Sequence, residues 1–333
     1  MSDISPVAFV EAALAYQKTA AIKAAIDLDL FTLIGAGADT AEALAEKIGA
    51  PIRGLRILCD YLTVQGFLEK SVTRYAATPS SRAFLDRRSR SFMGSIVDFH
   101  AAPEMCELFL GDPVAYVRNG GAVGLGSVAP DHPVWAKFAR AMMPVMLPVA
   151  DAIAKQVAAW PQPPRKVLDI AAGHGLFGIA IAKTIPTTEL VAVDSPTVLA
   201  IASENAAHAG ITGRFRALPG DAFTLDWGTG YDLVLLPNFL HHFDQATCVQ
   251  LLKKVRASLK PGGKTVAVEF VPDEDRVSPP FQAGFAFYML GSTPHGDAFT
   301  AQDFDAMARA SGFKAATVTP VARSPQSLVL FEG

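Results

Sequence analysis

Three carboxylates around a glycine-rich turn are the first residues whose types and spacing could do chemistry. Asp169 lies on a short apolar segment directly before Gly173-His174-Gly175, and Asp194 ends the next apolar segment. Asp221 follows a third segment, within Gly220-Asp221-Ala222-Phe223. A glycine turn leaves backbone N–H groups open to a ligand, and carboxylates accept hydrogen bonds from hydroxyl and ammonium groups. The pattern predicts a cofactor site.

Which cofactor fits depends on the acids, because the turn alone is ambiguous. Gly173 to Gly178 match G-x-G-x-x-G, a weak dinucleotide signal when it stands alone. Asp169 could face an ammonium or sulfonium group but would repel a pyrophosphate. Asp194 suits the ribose diol of either NAD or S-adenosylmethionine (SAM). Asp221 and Phe223 offer an adenine a carboxylate and an aromatic face, so the set favours SAM. Glycines that serve only helix packing are the alternative.

A second group, His241 and His242, follows the apolar segment Tyr231–Leu236. If that segment is a strand, both histidines lie at the edge of the sheet that also carries the glycine turn. A neutral imidazole can take a proton near pH 7. A phenol, with a pKa near ~10 by analogy with tyrosine, benefits from such a base. The alternative is that the histidines form only a polar wall of a pocket.

The elements that must position these groups alternate between strand and helix from Lys166 onward. This alternation predicts an α/β fold with a doubly wound, mostly parallel sheet. A helix is expected over Thr300–Ser311 before a closing pair of strands. The predicted strands are Val167–Ile170, Leu190–Val193, Arg214–Ala217, Leu233–Leu236, Thr265–Glu269, Ala315–Pro320 and Ser327–Phe331.

The sequence before the catalytic domain divides into two further predicted regions. Residues 1–90 show helix, turn, helix and two short strands, the order of a winged helix. Residues 91–160 predict a helical connector that contributes to the acceptor pocket, and Pro161-Gln162-Pro163-Pro164 marks the start of a catalytic domain over 161–333. A winged helix could bind DNA, but residues 1–100 hold 11 basic and 11 acidic side chains. No nucleic-acid partner is therefore expected.

Composition limits the remaining classes of function. The chain of 333 residues has a net charge of −3 and 18% charged residues, which favours much buried surface and a subunit interface. Cys59, Cys106 and Cys248 show no metal or redox spacing, so a reducing, cytoplasmic location and no metal site are expected. Residues 1–17 predict no signal peptide, and no membrane association is expected.

Five motifs together resemble the class I SAM-dependent methyltransferases. They are VLDIAAGHG, VDSP, GDAF, NFLHHFD, and LKPGG with a following VAVE. More narrowly, nearly the whole chain resembles the plant and bacterial O-methyltransferases that include caffeate, hydroxyindole and polyketide enzymes. The resemblance implies a Rossmann-like catalytic sheet, an N-terminal mostly helical winged-helix dimerisation domain and a homodimer of secondary metabolism. It also implies methyl transfer from SAM to a hydroxyl of a small aromatic or polyketide-like acceptor. The expected cofactor residues are Asp169, Ala171, Gly173, Gly175, Asp194, Ser195, Asp221, Ala222, Phe223 and Asn238.

The same resemblance assigns catalytic roles. It puts the general base on His241 and the carboxylate that orients it on Glu269. The chain departs from the family pattern at His242 and Phe243, and at Ala171 in the turn. Asp297 lies next to the position of the family's second carboxylate, so it either replaces that carboxylate or the contact is absent.

The acceptor pocket is expected to be apolar and aromatic. Adaptable methionines beside aromatic rings suit a flat ligand, although any one of them could simply pack in the core. The acceptor itself is not readable from the sequence, and methylation of carbon or nitrogen, other SAM chemistry, or a SAM-responsive winged-helix regulator are the alternatives. The expected pocket residues are Met142, Met146, His242, Phe285, Tyr288 and Met289.

Overall fold

The structure, a computed structural model, describes residues 4–123 and 134–333. These residues form two compact units, one ending at Cys106 and the other beginning at Glu107. The boundary lies inside the predicted connector over 91–160, so the structure assigns the two parts of that connector to different units. The glycine-rich segment Gly120–Ser127 of the connector, which the sequence predicts as a loop, lies mostly outside the described residues.

The N-terminal unit is a set of short helices with one β-hairpin. Thr40 begins the fourth helix, because its side chain accepts a hydrogen bond from the Ala43 N–H. The apolar faces of these helices meet the inner side of the hairpin around Leu44, Cys59 and Leu62, which are fully buried. The helices are α1 Val7–Ala13, α2 Ala15–Asp27, α3 Leu30–Gly35, α4 Ala41–Ile48, α5 Ile52–Val64, α6 Pro79–Phe84 and α7 Ile96–His100, and the strands are β1 Leu68–Ser71 and β2 Arg74–Ala77.

The C-terminal unit is built around a seven-stranded sheet in the order β5-β4-β3-β6-β7-β9-β8. Strands β5, β4, β3, β6 and β7 run parallel, whereas β9 runs antiparallel to both of its neighbours. The predicted α/β fold and its closing strand pair are therefore confirmed. The strands are β3 Lys166–Ile170, β4 Glu189–Asp194, β5 Phe215–Pro219, β6 Tyr231–Pro237, β7 Leu259–Glu269, β8 Ala315–Pro320 and β9 Ser327–Glu332.

Helices cover both faces of this sheet, which explains why its central strands are apolar on both sides. Val167, Leu168 and Ile170 of β3 have no exposed surface, as expected for a parallel strand between two helical layers. One helix, α8 Pro103–Leu110, spans the boundary between the units. The others are α9 Pro113–Asn119, α10 Val134–Ala158, α11 Leu176–Thr184, α12 Pro196–His208, α13 Gln245–Ser258, α14 Pro280–Ser292 and α15 Ala301–Ala310.

The order of the strands determines where a ligand can bind. The chain passes from β3 to β4 and β5 on one side of β3 and then crosses to β6 on the other side, so a crevice opens beyond the carboxyl ends of these strands. Every predicted cofactor and catalytic group lies at or directly after the carboxyl end of β3, β4, β5, β6 or β7. Across residues 4–123 and 134–333, no helix is both long and apolar enough to cross a membrane.

Candidate active site

The turn after β3 has the backbone conformation of a ligand-binding loop. Ala171, Gly173 and Gly175 have φ angles of 52°, 59° and 73°, in the left-handed region. Gly178 is required for another reason, because a Cβ there would lie 2.9 Å from Asp169 Oδ2 and 2.5 Å from Leu190. Without that Cβ, the Gly178 N–H donates to Asp169 at 3.0 Å and joins the strand to helix α11.

Asp169 lies buried on β3 next to the turn, and its contact with SAM stays a prediction. Its side chain has no exposed surface, and its carboxylate is bonded to the start of helix α11 instead of lining the cavity described below. Burial raises its pKa to about 8, an effect opposed by the Gly178 N–H and increased by the charge of Asp194. Among the described residues, Oδ1 has no hydrogen-bond partner.

Asp194, at the end of β4, does reach the cavity. Its Oδ2 accepts from the Gly173 N–H at 2.9 Å and its Oδ1 from the Ser195 N–H at 2.7 Å. Burial raises its pKa, while these two bonds act in the opposite direction. Each carboxylate oxygen keeps a second lone pair, so a diol could still bind here. The buried Ser195 hydroxyl has no partner within the part of the chain that the structure describes.

Asp221 organises the loop after β5. Its Oδ1 accepts from the Phe223 N–H at 2.7 Å and the Thr224 N–H at 3.1 Å. Neither Asp221, Ala222 nor Phe223 lines the cavity, although the Phe223 ring packs edge-on against Phe243, which does. Their contact with an adenine therefore stays a prediction.

His241 and Glu269 form a buried pair at the ends of β6 and β7. His241 Nδ1 lies 2.5 Å from Glu269 Oε2, and the side chains are 7% and 1% exposed. Glu269 Oε1 accepts from the Phe239 and Leu240 N–H groups at 3.1 and 2.9 Å. A carboxylate so placed requires the proton on Nδ1, which leaves Nε2 as the basic nitrogen.

Two neighbours of this pair, His242 and Asp297, differ in how they contact His241. The His242 ring lies 4.5 Å from the His241 ring, and burial together with His241 lowers the pKa of His242 well below its usual value. Asp297 contacts His241 only through the backbone, its N–H donating to the His241 carbonyl at 3.0 Å. Its carboxylate binds the Ala298 N–H and pairs with Arg276. It therefore does not act as a second carboxylate on the imidazole.

A cavity of about 440 Å³ lies beside the turn and His242, and the adjacent His241 is not among its lining residues. At one end Ala171, Gly173 and Asp194 line it, and at the other end Asn238, His242 and Phe243 do. Its wall is mostly apolar, which suits a small ligand that carries a few polar groups.

The predicted acceptor residues fall into two groups. Met146 and His242 line the cavity. Met142 packs against the core next to Met146, and Met289 is 2% exposed, so both lie behind the wall. Phe285 contacts the His241 ring edge-on at 4.9 Å between ring centres and stacks on Tyr288.

Trp135 and His174 are among the lining residues that the sequence analysis did not predict as site residues. Trp135 lies in the first turn of helix α10, where no motif marks it. His174 lies inside the glycine motif itself, so its position was a usable signal. Its Nδ1 accepts from the Leu176 N–H at 3.2 Å, and burial lowers its pKa to about 4, so the ring is neutral. The described residues contain no cluster of histidine, cysteine or acidic side chains that could hold a metal.

Comparison with known proteins bears on both parts of the chain. The model of the O-methyltransferase domain matches residues 108–314, and that of the O-methyltransferase dimerisation domain matches residues 10–87. A solved structure from Nostoc punctiforme, described as a candidate O-methyltransferase, is 42% identical, covers all of both chains and has a TM-score of 0.94.

More distant relatives agree with these matches. The 3-hydroxy-5-methyl-1-naphthoate 3-O-methyltransferase of Streptomyces sahachiroi is 27% identical over 86% of this chain and 84% of its own length. Human N-acetylserotonin methyltransferase, solved in complex with SAM, is 19% identical with a TM-score of 0.83, covers 100% of this chain and 99% of its own, and shows the same fold.

Proposed function

We propose how this chain works from one premise: it belongs to the O-methyltransferase family. It is a SAM-dependent transferase that methylates oxygen. The acceptor is a small aromatic or polyketide-like compound with a free hydroxyl. This class is supported by the substrates after which two relatives are named, a naphthoate and a phenazine, and by the aromatic wall of the cavity.

The residues around the glycine turn fit SAM. Asp194 keeps free lone pairs for a ribose diol, and the Ser195 hydroxyl is buried without a partner in the described chain. The turn supplies backbone beside the start of helix α11, and the loop of Asp221–Phe223 would close the adenine side. When bound, SAM supplies an electrophilic methyl group on a positively charged sulfur.

His241 acts as the general base of the transfer. Its Nε2 takes the proton of the acceptor hydroxyl, while Nδ1 keeps its own proton in the bond to Glu269. The imidazolium that forms is then stabilised by the carboxylate, which two backbone N–H groups hold in place. The observation that carries this role is the 2.5 Å contact between Nδ1 and Oε2.

The cavity wall would orient the acceptor and exclude water. Trp135, Phe138 and Phe243 line the cavity with flat rings, and His242 is held neutral beside them. Removal of water strengthens the electrostatic support of Glu269 for the charged imidazole.

The test combines product detection with one variant. The wild-type enzyme, SAM and a panel of phenolic and polyketide-like acceptors should give products heavier by one methyl group in a mass spectrum. His241→Ala should lower kcat/KM by about 10²–10⁴-fold with SAM affinity unchanged, the usual worth of a general base. His242→Ala is the control and should raise the acceptor KM more than it lowers kcat. Near-normal turnover of His241→Ala at neutral pH would contradict the assignment.

We also propose that the enzyme is a cytoplasmic homodimer that binds neither nucleic acid nor membrane. The dimerisation-domain match supports the dimer. Cys59 and Cys248 are buried free thiols, which is compatible with a reducing compartment.

A further inference from the structure

Asn238 is a half-buried residue in the chain between the cofactor turn and the catalytic pair. It follows the last residue of β6, and its φ of 54° is in the left-handed region, which asparagine tolerates. Its N–H donates to the Val268 carbonyl at 2.8 Å, next to Glu269, and its side chain lines the cavity. These contacts fix the backbone of Asn238, and a further contact sets the rotation of its side-chain amide.

Gln326 determines that orientation. It is 2% exposed, and its Nε2 donates to Asn238 Oδ1. The turn between β8 and β9 holds Gln326 in place, because its carbonyl accepts from the Val321 N–H at 3.0 Å and its N–H donates to Ser324 Oγ at 3.1 Å. Since β9 runs antiparallel to β7, with Ser327 opposite Glu269, this turn lies at the functional edge of the sheet.

The hydrogen bond from Gln326 fixes which end of the Asn238 side-chain amide faces the cavity. Oδ1 is occupied, so the NH₂ group is the part that remains for other partners. Its one contact among the described residues is Met146 Sδ at 3.7 Å, and sulfur is a weak acceptor. A side-chain amide has two N–H donors, so Asn238 can offer one of them to a ligand in the cavity.

The ligand atom follows from the order of the strands. Asp194 and the turn lie at the ends of β4 and β3, Asn238 at the end of β6, and Glu269 at the end of β7. Asn238 therefore lies between the turn and the catalytic pair, three residues before His241. The sequence predicts it as a cofactor residue, but its N–H bond to the Val268 carbonyl, next to Glu269, favours the acceptor as its partner. We propose that Gln326 is a positioning residue that fixes Asn238 as a donor to a second oxygen of the acceptor, beside the reacting hydroxyl. The preferred acceptors are then aromatic hydroxyl compounds with a neighbouring carbonyl, a conclusion that rests on the proposed function.

The first experiment compares two neutral acceptors that differ in that carbonyl, 1-hydroxy-2-acetonaphthone and 1-naphthol. The wild-type enzyme should prefer the first by about tenfold in kcat/KM, the worth of one well-made hydrogen bond. Asn238→Asp keeps an oxygen for Gln326 and tolerates the same φ, but it presents an acceptor to the cavity. The preference should disappear in this variant. The KM for SAM separates this role from the cofactor contact that the sequence predicts for Asn238, because a higher KM for SAM with the preference kept overturns the inference.

The second experiment tests the positioning role. Gln326→Met keeps the volume and removes the donor, so the Asn238 amide can rotate, and the preference should fall at least threefold with kcat for 1-naphthol unchanged. Gln245→Met is the matched control, because it removes a glutamine amide that donates to Asp303 on the surface. An unchanged preference in Asn238→Asp or Gln326→Met overturns the inference while methyl transfer still stands. A wild-type enzyme that methylates no acceptor at all contradicts the proposed function instead.

Discussion

The hydrogen bonds of Glu269 decide which nitrogen of His241 can act as a base. Both carboxylate oxygens are used, one by Nδ1 of the imidazole and the other by two backbone N–H groups. Each of these contacts needs an oxygen that accepts a hydrogen bond. An amide in place of the carboxylate has one oxygen, so it cannot serve the backbone and the imidazole in the same way.

Glu269→Gln should therefore be nearly as damaging as loss of the imidazole. The oxygen of the new glutamine side chain would accept from the backbone N–H groups of Phe239 and Leu240. Its NH₂ group would then donate to Nδ1 of His241, which places the imidazole proton on Nε2, the wrong tautomer for a base. We expect kcat to fall by about 10³–10⁴-fold, by analogy with the same change in a serine protease triad. Steady-state kinetics measure this, and circular dichroism serves as the control for folding. A loss below tenfold would show that the carboxylate does not set the tautomer.

A second prediction at the scale of single residues concerns Asp169 and the stability of the fold. Its folded pKa of about 8 lies above its ordinary value of 3.8, so between these pH values the folded state holds a proton that the unfolded state has lost. Stability is therefore lost as pH rises through this window. Asp169→Asn removes the titration, and its Tm relative to the wild type should rise by several degrees from pH 4 to pH 8. Differential scanning calorimetry without cofactor measures the difference, and a difference that does not vary with pH would refute the shift.

At the scale of elements, helix α13 holds the loop that follows β5. Lys254 Nζ donates to the carbonyls of Ala222, Phe223 and Leu225 at 2.9, 3.1 and 2.7 Å, and it lies 3.9 Å from the Trp227 ring centre. One ammonium group thus fixes the backbone of the segment predicted to meet the adenine. The loop has few other side-chain bonds besides those of Asp221.

Lys254→Met should loosen this loop while leaving the catalytic pair intact. We expect the KM for SAM to rise about tenfold or more, because up to three charged hydrogen bonds are lost, and kcat at saturating SAM to change little. Lys253→Met, one position away on the exposed side of the same helix, is the matched control. Equal effects of the two substitutions would mean that Lys254 does not position the loop.

The elements also show what the sequence could and could not predict. Apolar segments that carry Asp169, Asp194 and Glu269 at or near their ends predicted the strands and their common edge, because parallel strands place their carboxyl ends together. The bond from the Gly178 N–H to the Asp169 carboxylate was not predicted, because it depends on how helix α11 packs on β3. Gln326 carried no signal, since its role depends on β9 returning antiparallel beside β7. Contacts between distant segments depend on register and side-chain orientation, which local patterns do not contain.

At the scale of the whole molecule, the first helices present an apolar surface without a core behind it. Helix α1 has no buried residue, and the exposed apolar side chains of this segment are Ile4, Val7, Phe9, Val10, Leu14 and Tyr16. A contiguous apolar patch on a protein surface usually marks an interface. The match of residues 10–87 to a dimerisation domain makes a second copy of this chain the expected partner.

Charges on this surface should therefore separate the subunits. In the double variant Val10→Asp and Leu14→Asp, dimer formation would bury two carboxylates of each chain in apolar contact, which costs several kcal/mol for each dimer. Because both side chains are exposed in the single chain, at 46% and 42%, each unit should keep its fold. Light scattering at micromolar concentration should give the mass of one 35.3 kDa chain for the variant and twice that mass for the wild type.

Val277→Asp is the control for this experiment, since Val277 is 70% exposed and lies outside the matched dimerisation region. It should remain dimeric. A wild-type protein that is monomeric at these concentrations contradicts the homodimer, and a double variant that stays dimeric places the interface on another surface. If the subunits separate and kcat/KM stays unchanged, then each chain holds a complete active site.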